Sequence, residues 1–240
     1  LMNINFSSKH PDPTTFVLSP NTVHVWQADL HWEHAVYEAA YTLLSIEEQQ
    51  RADRFIFPHD RQRFIAAHAV LRQLLARYLH CEHQTIQYDT NAHGKPSLAS
   101  PTDMKLEFNM SHSHTWSLYA MTFQDPIGID IEQIRDNIEL NNIAQRFFAA
   151  AESDALQQLP HDEQLTGFFH VWACKEAFLK ALGLGLTYPL AHAVVSVDPK
   201  KPAQLISIEH DSTLAQAWSL HTLSAAQGYT AAIAKKGTIE

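Results

Sequence analysis

PIGIDIEQIRDN, residues 126–137, sets Asp130 and Glu132 two positions apart inside a run of isoleucines. The alternation predicts a β-strand over 127–134, with both carboxylates on one face and Ile129, Ile131 and Gln133 on the other. Two like charges on one face repel, and burying them costs several kcal/mol per ion unless something positive compensates. Two arrangements satisfy this physics. Either the acidic face looks into solvent from an edge strand, or it is buried around a cation, for which a divalent ion is the most economical choice.

Upstream, SLYAMTF (117–123) predicts a strand, and Gln124, Asp125 and Pro126 predict a hairpin-like turn joining it to the acidic one. Downstream, apolar periodicity predicts helices at 139–148, 152–159 and 163–182, with Gly183 as the residue that ends the last. Four short strands, AVVSV, LISIE, AWSLHTL and YTAAIA, fill the tail. Near the start, VHVWQADL (23–30) predicts a strand, followed by helix over 33–55 broken at Ser45, an N-cap with Glu48 three residues on. Asp60 is expected to cap a further helix reaching Leu79, and NAHGKPSLASPTD (91–103) reads as a surface loop punctuated by Gly94, Pro96 and Pro101. Shifting the chain by 104 positions lays 43–79 over 147–183 with four identities, which hints at two related lobes without establishing them.

The chain has 240 residues, enough for one large domain or two lobes sharing a core. No apolar run reaches the roughly 18 residues of a membrane span, and LMNINFSSKH lacks a secretory pattern, so a cytoplasmic protein is expected. Cys81 and Cys174 lie far apart in apolar helical patterns and read as buried free thiols. With 17 basic against 26 acidic side chains the protein does not read as a nucleic-acid binder. Locally the balance reverses. Between Leu44 and His80 stand six arginines against four acids, a candidate anion site.

Further stretches carry candidate chemistry. WACKEAFLKALGLG (172–185) is apolar on most sides of its helix, with Lys175, Glu176 and Lys180 as a narrow polar stripe. Glu176 and Lys180 are spaced either for a surface ion pair or for a shared ligand. The Gly94-Lys95-Pro96 turn exposes an ammonium beside free backbone N–H groups, which suits a phosphate or a solvent loop equally. Ser111 and His112 precede a strand, where a hydroxyl and an imidazole can reach a ligand.

Taken in order, RADRF, DRQRF and LRQLL, then HGKPSL, FNMSHS, PIGIDIE, RFFAAAE and WACKEAFLKALGLGL resemble the 4′-phosphopantetheinyl transferases of the Sfp type, in their WxxKEA subgroup. The resemblance spans over half the chain. It implies an α+β fold of two similar lobes related by a pseudo-twofold axis, divided as residues 1–125 and 126–240, in a monomer. It implies transfer of the phosphopantetheine arm of coenzyme A to a serine of an apo acyl, polyketide or peptidyl carrier protein, with release of adenosine 3′,5′-bisphosphate. It further implies Mg²⁺ held by Asp130, Glu132 and Glu176, which resolves the opening puzzle in favour of a buried cation. Glu176, Lys180 and Glu152 become the candidate catalytic groups. Arg51, Arg63, Lys95, Ser111, His112, Lys175 and Lys180 become the candidate contacts to coenzyme A. Glu48 departs from the family pattern where some relatives carry a lysine, and Phe64 stands where a small polar residue would suit a nucleotide. A non-catalytic binding module for coenzyme A or a carrier, and a Mg²⁺-dependent nucleotide phosphohydrolase, are the competing readings.

Overall fold

The computed structural model of the chain describes residues 16–99 and 105–239. After strand β1 (His24–Asp29) and helix α1 (His34–Tyr41), the expected break at Ser45 is a full capping box. Ser45 Oγ accepts from the Glu48 backbone N–H at 3.2 Å, and Glu48 Oε2 accepts from the Ser45 backbone N–H at 2.9 Å. Helix α2 (Ile46–Ala52) follows. The next helix, α3 (Pro58–Leu79), begins before the expected cap at Asp60, because Pro58 supplies a preset φ at its first turn and has no N–H to leave unpaired. Asp60 instead lies in that first turn, where its charge suits the helix dipole.

Residues 91–95 are the tip of a small hairpin, β2 (Tyr88–Thr90) with β3 (Pro96–Leu98), where a loop was expected. Pro101 lies outside the described residues. A second hairpin, β4 (Leu106–Ser113) with β5 (Trp116–Phe123), joins β1 in a sheet ordered β1-β5-β4. Ser111 and His112 therefore sit inside a strand, not ahead of one.

The turn at 124–126 does not close a hairpin. Gln124 takes a φ of 64°, and Asp125 is held at 2.8 Å by Lys235, which directs β6 (Ile127–Gln133) into a second sheet. That sheet is ordered β6-β10-β9, with β9 (Trp218–Leu223) and β10 (Tyr229–Lys236). Between them run α4 (Leu140–Phe147), α5 (Ala150–Gln158), α6 (His161–Leu182), a two-stranded sheet of β7 (Ala193–Val195) and β8 (Leu205–Ile208), and α7 (Ser212–Ala215).

Each three-stranded sheet thus has its first strand on one edge and its last in the centre, and each is accompanied by a 22-residue helix, α3 or α6. The 104-residue shift in the sequence lays α3 over α6 to within one residue. The seam between the sheets is filled by Leu118 and Ala120 of β5, the three isoleucines of β6, and Ala231 and Ile233 of β10. Ile127, Ile129 and Ile131 are fully buried, so β6 is not an exposed edge. Cys174 is buried as expected, but Cys81 is exposed, since α3 ends at the left-handed His80 just before it. Among the described residues no helix is long and apolar enough to cross a membrane.

Candidate active site

The site is built where β6 meets α6. A Cβ on Gly128 would lie 2.1 Å from the Ala177 carbonyl oxygen and 2.3 Å from the Ala181 nitrogen, so strand and helix touch backbone to backbone. Residues two and four positions on share the face of Gly128, and these are Asp130 and Glu132. The short separation brings them beside Lys180 and Glu176 of α6. Lys180 Nζ donates to Asp130 Oδ1 at 2.6 Å and to Ser111 Oγ at 2.8 Å, while Ser111 Oγ donates to Asp130 Oδ1 at 2.8 Å.

The other edge of β6 is stitched to β4 by side chains. Asn109 Oδ1 accepts from the Ile129 N–H at 2.9 Å, Ser113 Oγ accepts from the Gln133 N–H at 3.0 Å, and Ser113 Oγ reaches Glu132 Oε2 at 3.3 Å. Alternate residues of β4 thus all serve this seam. Sequence reasoning missed Asn109 and Ser113. The period-two polar pattern Asn109-x-Ser111-x-Ser113 is the signal that marks them.

Three carboxylates share the seam under strain from one another. Burial and then the charge of Asp130 push Glu132 up to about 7. Glu176 is raised by the same two causes and opposed by Lys180. Asp130, only 3% exposed, keeps Oδ2 buried without a protein hydrogen-bond partner. A buried, unpaired carboxylate oxygen beside two acids short of positive charge fits a hard divalent cation. Among the described residues no three His, Cys, Asp or Glu side chains converge on one point, and the positive charge on Asp130 Oδ1 is the Lys180 ammonium.

Glu132 opens into a cleft of about 1540 Å³ whose far wall is α2 and α3. Arg51, Arg63, His112, His114 and Arg135 line it. Arg63 donates to His114 Nδ1 at 2.9 Å and lies 3.5 Å from Asp60. Arg51 covers the Phe64 ring at 5.2 Å, and the His68 ring stacks on that ring with centroids 3.8 Å apart. His112 is held below the usual imidazole range by desolvation at the cleft floor and by the cations Lys180, Arg63 and Arg51. The cleft therefore sets Arg51 and Arg63 of α2 and α3 in the same space as Glu132, cations and a carboxylate that together suit a polyphosphate with a bound metal.

Residues 126–234 match the 4′-phosphopantetheinyl transferase superfamily, and residues 28–124 match a 4′-phosphopantetheinyl transferase N-terminal family. The 4′-phosphopantetheinyl transferase HetI of Nostoc sp. is 36% identical over 95% of this chain and 93% of its own. The chain belongs to the 4′-phosphopantetheinyl transferase superfamily. Two further members are the transferase Sfp of Bacillus subtilis, 35% identical over 64% of this chain and 66% of its own, and psf-1 of Bacillus pumilus, 33% identical over 74% of each.

In this transferase Asp130, Glu132, Glu176, Lys180 and Ser111 meet at the seam, and Arg51, Arg63 and His112 line the adjoining cleft. Three expected site residues are not brought there. Lys175 is fully buried, 2.7 Å from Glu152, and donates to the Leu190 carbonyl at 2.9 Å and to that of Ala193. Glu152 accepts from the backbone N–H groups of Ala149 and Val195, both at 2.7 Å. Every polar atom of this pair is used to tie α5, α6 and β7 together. Lys95 is turned away from the cleft onto two carbonyl oxygens.

Arg72, from the cationic segment, is also structural. It is 1% exposed and donates to Glu48 at 2.5 Å and to the carbonyls of His83 and Ile86. Glu48 therefore fills its unusual position as both cap partner and counter-ion. Phe64 is buried between Arg51 and His68, a stack in place of a small polar side chain.

Proposed function

We infer that the protein transfers the 4′-phosphopantetheine arm of coenzyme A to a serine hydroxyl of an apo carrier protein and releases adenosine 3′,5′-bisphosphate. The observation that carries this reading is the buried, unpartnered Asp130 Oδ2 two residues from Glu132, which itself lines a cleft shared with Arg51, Arg63 and His112. A cleft completed by both halves of one chain supports two lobes, 1–125 and 126–240, working as a monomer. A cytoplasmic location suits this reading, since coenzyme A is available there.

Asp130, Glu132 and Glu176 would hold Mg²⁺ through hard oxygens, and the ion, when bound, would stabilise phosphate oxygens that gain charge as the pyrophosphate bond breaks. Arg51, Arg63 and His112 would hold the nucleotide phosphates of coenzyme A. The serine Oγ forms a bond to the β-phosphorus, the bridging P–O bond breaks, and its electron pair leaves on the bisphosphate. Glu176 takes the hydroxyl proton, being a half-buried carboxylate whose environment raises its proton affinity. Lys180, fixed by Asp130 and Ser111, places an ammonium near the breaking bond.

The test is intact-mass measurement of an apo acyl carrier protein incubated with this protein, coenzyme A and Mg²⁺, beside a chelator control. A gain of one phosphopantetheine arm that the chelator abolishes is expected. Bisphosphate released without any carrier would instead favour a phosphohydrolase. Coenzyme A binding with no transfer to acyl, polyketide or peptidyl carriers would favour a binding module.

A further inference from the structure

The tip of the β2–β3 hairpin, a two-stranded sheet of its own, reaches the two elements that carry the carboxylate seam. Asn91 Oδ1 accepts from the backbone N–H groups of His93 and Lys95, both at 2.9 Å, which curls the tip on itself. Asn91 Nδ2 is thereby free to donate outward, and it meets the Gly183 carbonyl at 2.7 Å. Lys95 Nζ donates to the Ala181 carbonyl and to the Ile127 carbonyl, each at 3.1 Å. His93 Nδ1 and Thr187 Oγ1 lie 3.2 Å apart just beyond.

These partners are the ones a helix end needs. The last carbonyls of α6 have no partner within the helix, and its C-terminus carries partial negative charge. Gly183 caps the helix at a φ of 71° with its N–H on the Leu179 carbonyl, leaving the Ala181 and Gly183 carbonyls to be satisfied from outside. An ammonium and a carboxamide from the other half of the chain do so. A Cβ at Gly183 would sit 2.9 Å from Asn91 Nδ2 and 3.1 Å from Lys95 Cδ, so glycine there is also what lets the hairpin dock. Desolvation lowers the proton affinity of Lys95 and the charge of Glu107 opposes this, as fits a half-buried ammonium set against carbonyls.

Ile127 lies three residues before Asp130 on β6, and Ala181 directly follows Lys180 on α6. One ammonium therefore bonds to both walls of the seam. We propose that Lys95, with Asn91, is a positioning strap that fixes the register of β6 against the end of α6, and so the placement of Asp130 against Lys180, with no contact to the nucleotide. This rests on the transferase reading for its kinetic consequence and departs from the phosphate contact that the sequence resemblance implies for Lys95.

The experiment compares Lys95→Met and Asn91→Ala with the parent, using coenzyme A and 3′-dephospho-coenzyme A as paired calorimetric probes. A strap predicts that turnover at saturating coenzyme A and carrier falls about tenfold in both variants, as misplacement of catalytic groups does. It predicts that the ratio of the two affinities is unchanged. A Lys95→Met protein that loses the preference for coenzyme A over its dephospho form, or that turns over at the parental rate, overturns the proposal. Amide hydrogen exchange gives a second readout that needs no activity. Exchange at residues 181–183 is expected to speed up about fivefold in both variants, in line with loss of a hydrogen bond worth about 1 kcal/mol. Unchanged protection there defeats the strap even if the protein proves not to be a transferase.

Discussion

Lys175 and Glu152 meet at 2.7 Å in the core of the second half, 0% and 1% exposed, with each remaining polar atom bonded to backbone. Removing one member of such a pair leaves an uncompensated buried charge. Lys175→Met is expected to lower unfolding free energy by about 3–5 kcal/mol, and Lys175→Met with Glu152→Gln by clearly less. Denaturant titration measures both. A single variant as stable as the parent, with transfer lost, would return Lys175 to the active site.

Gly128 leaves no room for a methyl group against Ala177 and Ala181. Gly128→Ala must push β6 from α6, at a cost of about 1–3 kcal/mol, and it displaces Asp130 from Lys180. Thermal melts and transfer assays should fall together. A variant that keeps its melting temperature and its rate would show that the seam tolerates widening.

Asp130→Ala separates chemistry from folding. Lys180 keeps Ser111 as a partner and is 29% exposed, so its ammonium is not stranded in the core. Melting should shift by only a few degrees while transfer drops by about 100-fold or more, the loss expected when several kcal/mol of charge stabilisation goes. Activity within tenfold of the parent would remove Asp130 from the catalytic set.

What the sequence made legible follows the range of the forces involved. Ser45 with Glu48, Gly183, and the isoleucines of β6 act over a few residues, and each forms the element its pattern demands. The pairing of Asp130 with Lys180 also follows once an acidic strand and an amphipathic helix are known to pack. Long-range choices were hidden. Nothing near residues 124–126 says that Lys235, 110 positions on, will draw β6 into another sheet. Lys175 and Lys95 look like ligand groups because a lysine in a motif has the same letter whether its ammonium meets a phosphate, a buried glutamate or two carbonyl oxygens. Only the neighbours decide, and these come from elsewhere in the chain.

The two thiols should differ chemically. Burial pushes Cys174 up to about 12 within α6, while Cys81 is exposed beyond the end of α3. A thiol reagent at pH 8 should modify Cys81 alone in the folded protein and both residues in denaturant. Peptide mapping of the labelled chain reads this directly, and rapid labelling of Cys174 under native conditions would mean that α6 opens.

His68 gives a pH signature. Its Nδ1–H donates to the Phe64 carbonyl at 2.9 Å, and burial, with Arg51, His112 and Arg72 adding to it, holds the imidazole down to about 3. In the unfolded chain the ring titrates near 6.5. As pH falls between those values the unfolded state takes up a proton that the folded state refuses, so stability present above pH 6.5 is lost toward pH 3. Between those values the slope is about 1.4 kcal/mol per pH unit, and the exposed ring edge that lines the cleft narrows the pH window over which it holds. His24, His112 and His170 are also held low and contribute their own share. In His68→Asn, whose amide can still donate to Phe64, the acid limb of unfolding free energy against pH should flatten by the His68 share alone. An unchanged slope would mean that His68 protonates within the fold, and the Phe64 stack would then face a cation on both sides.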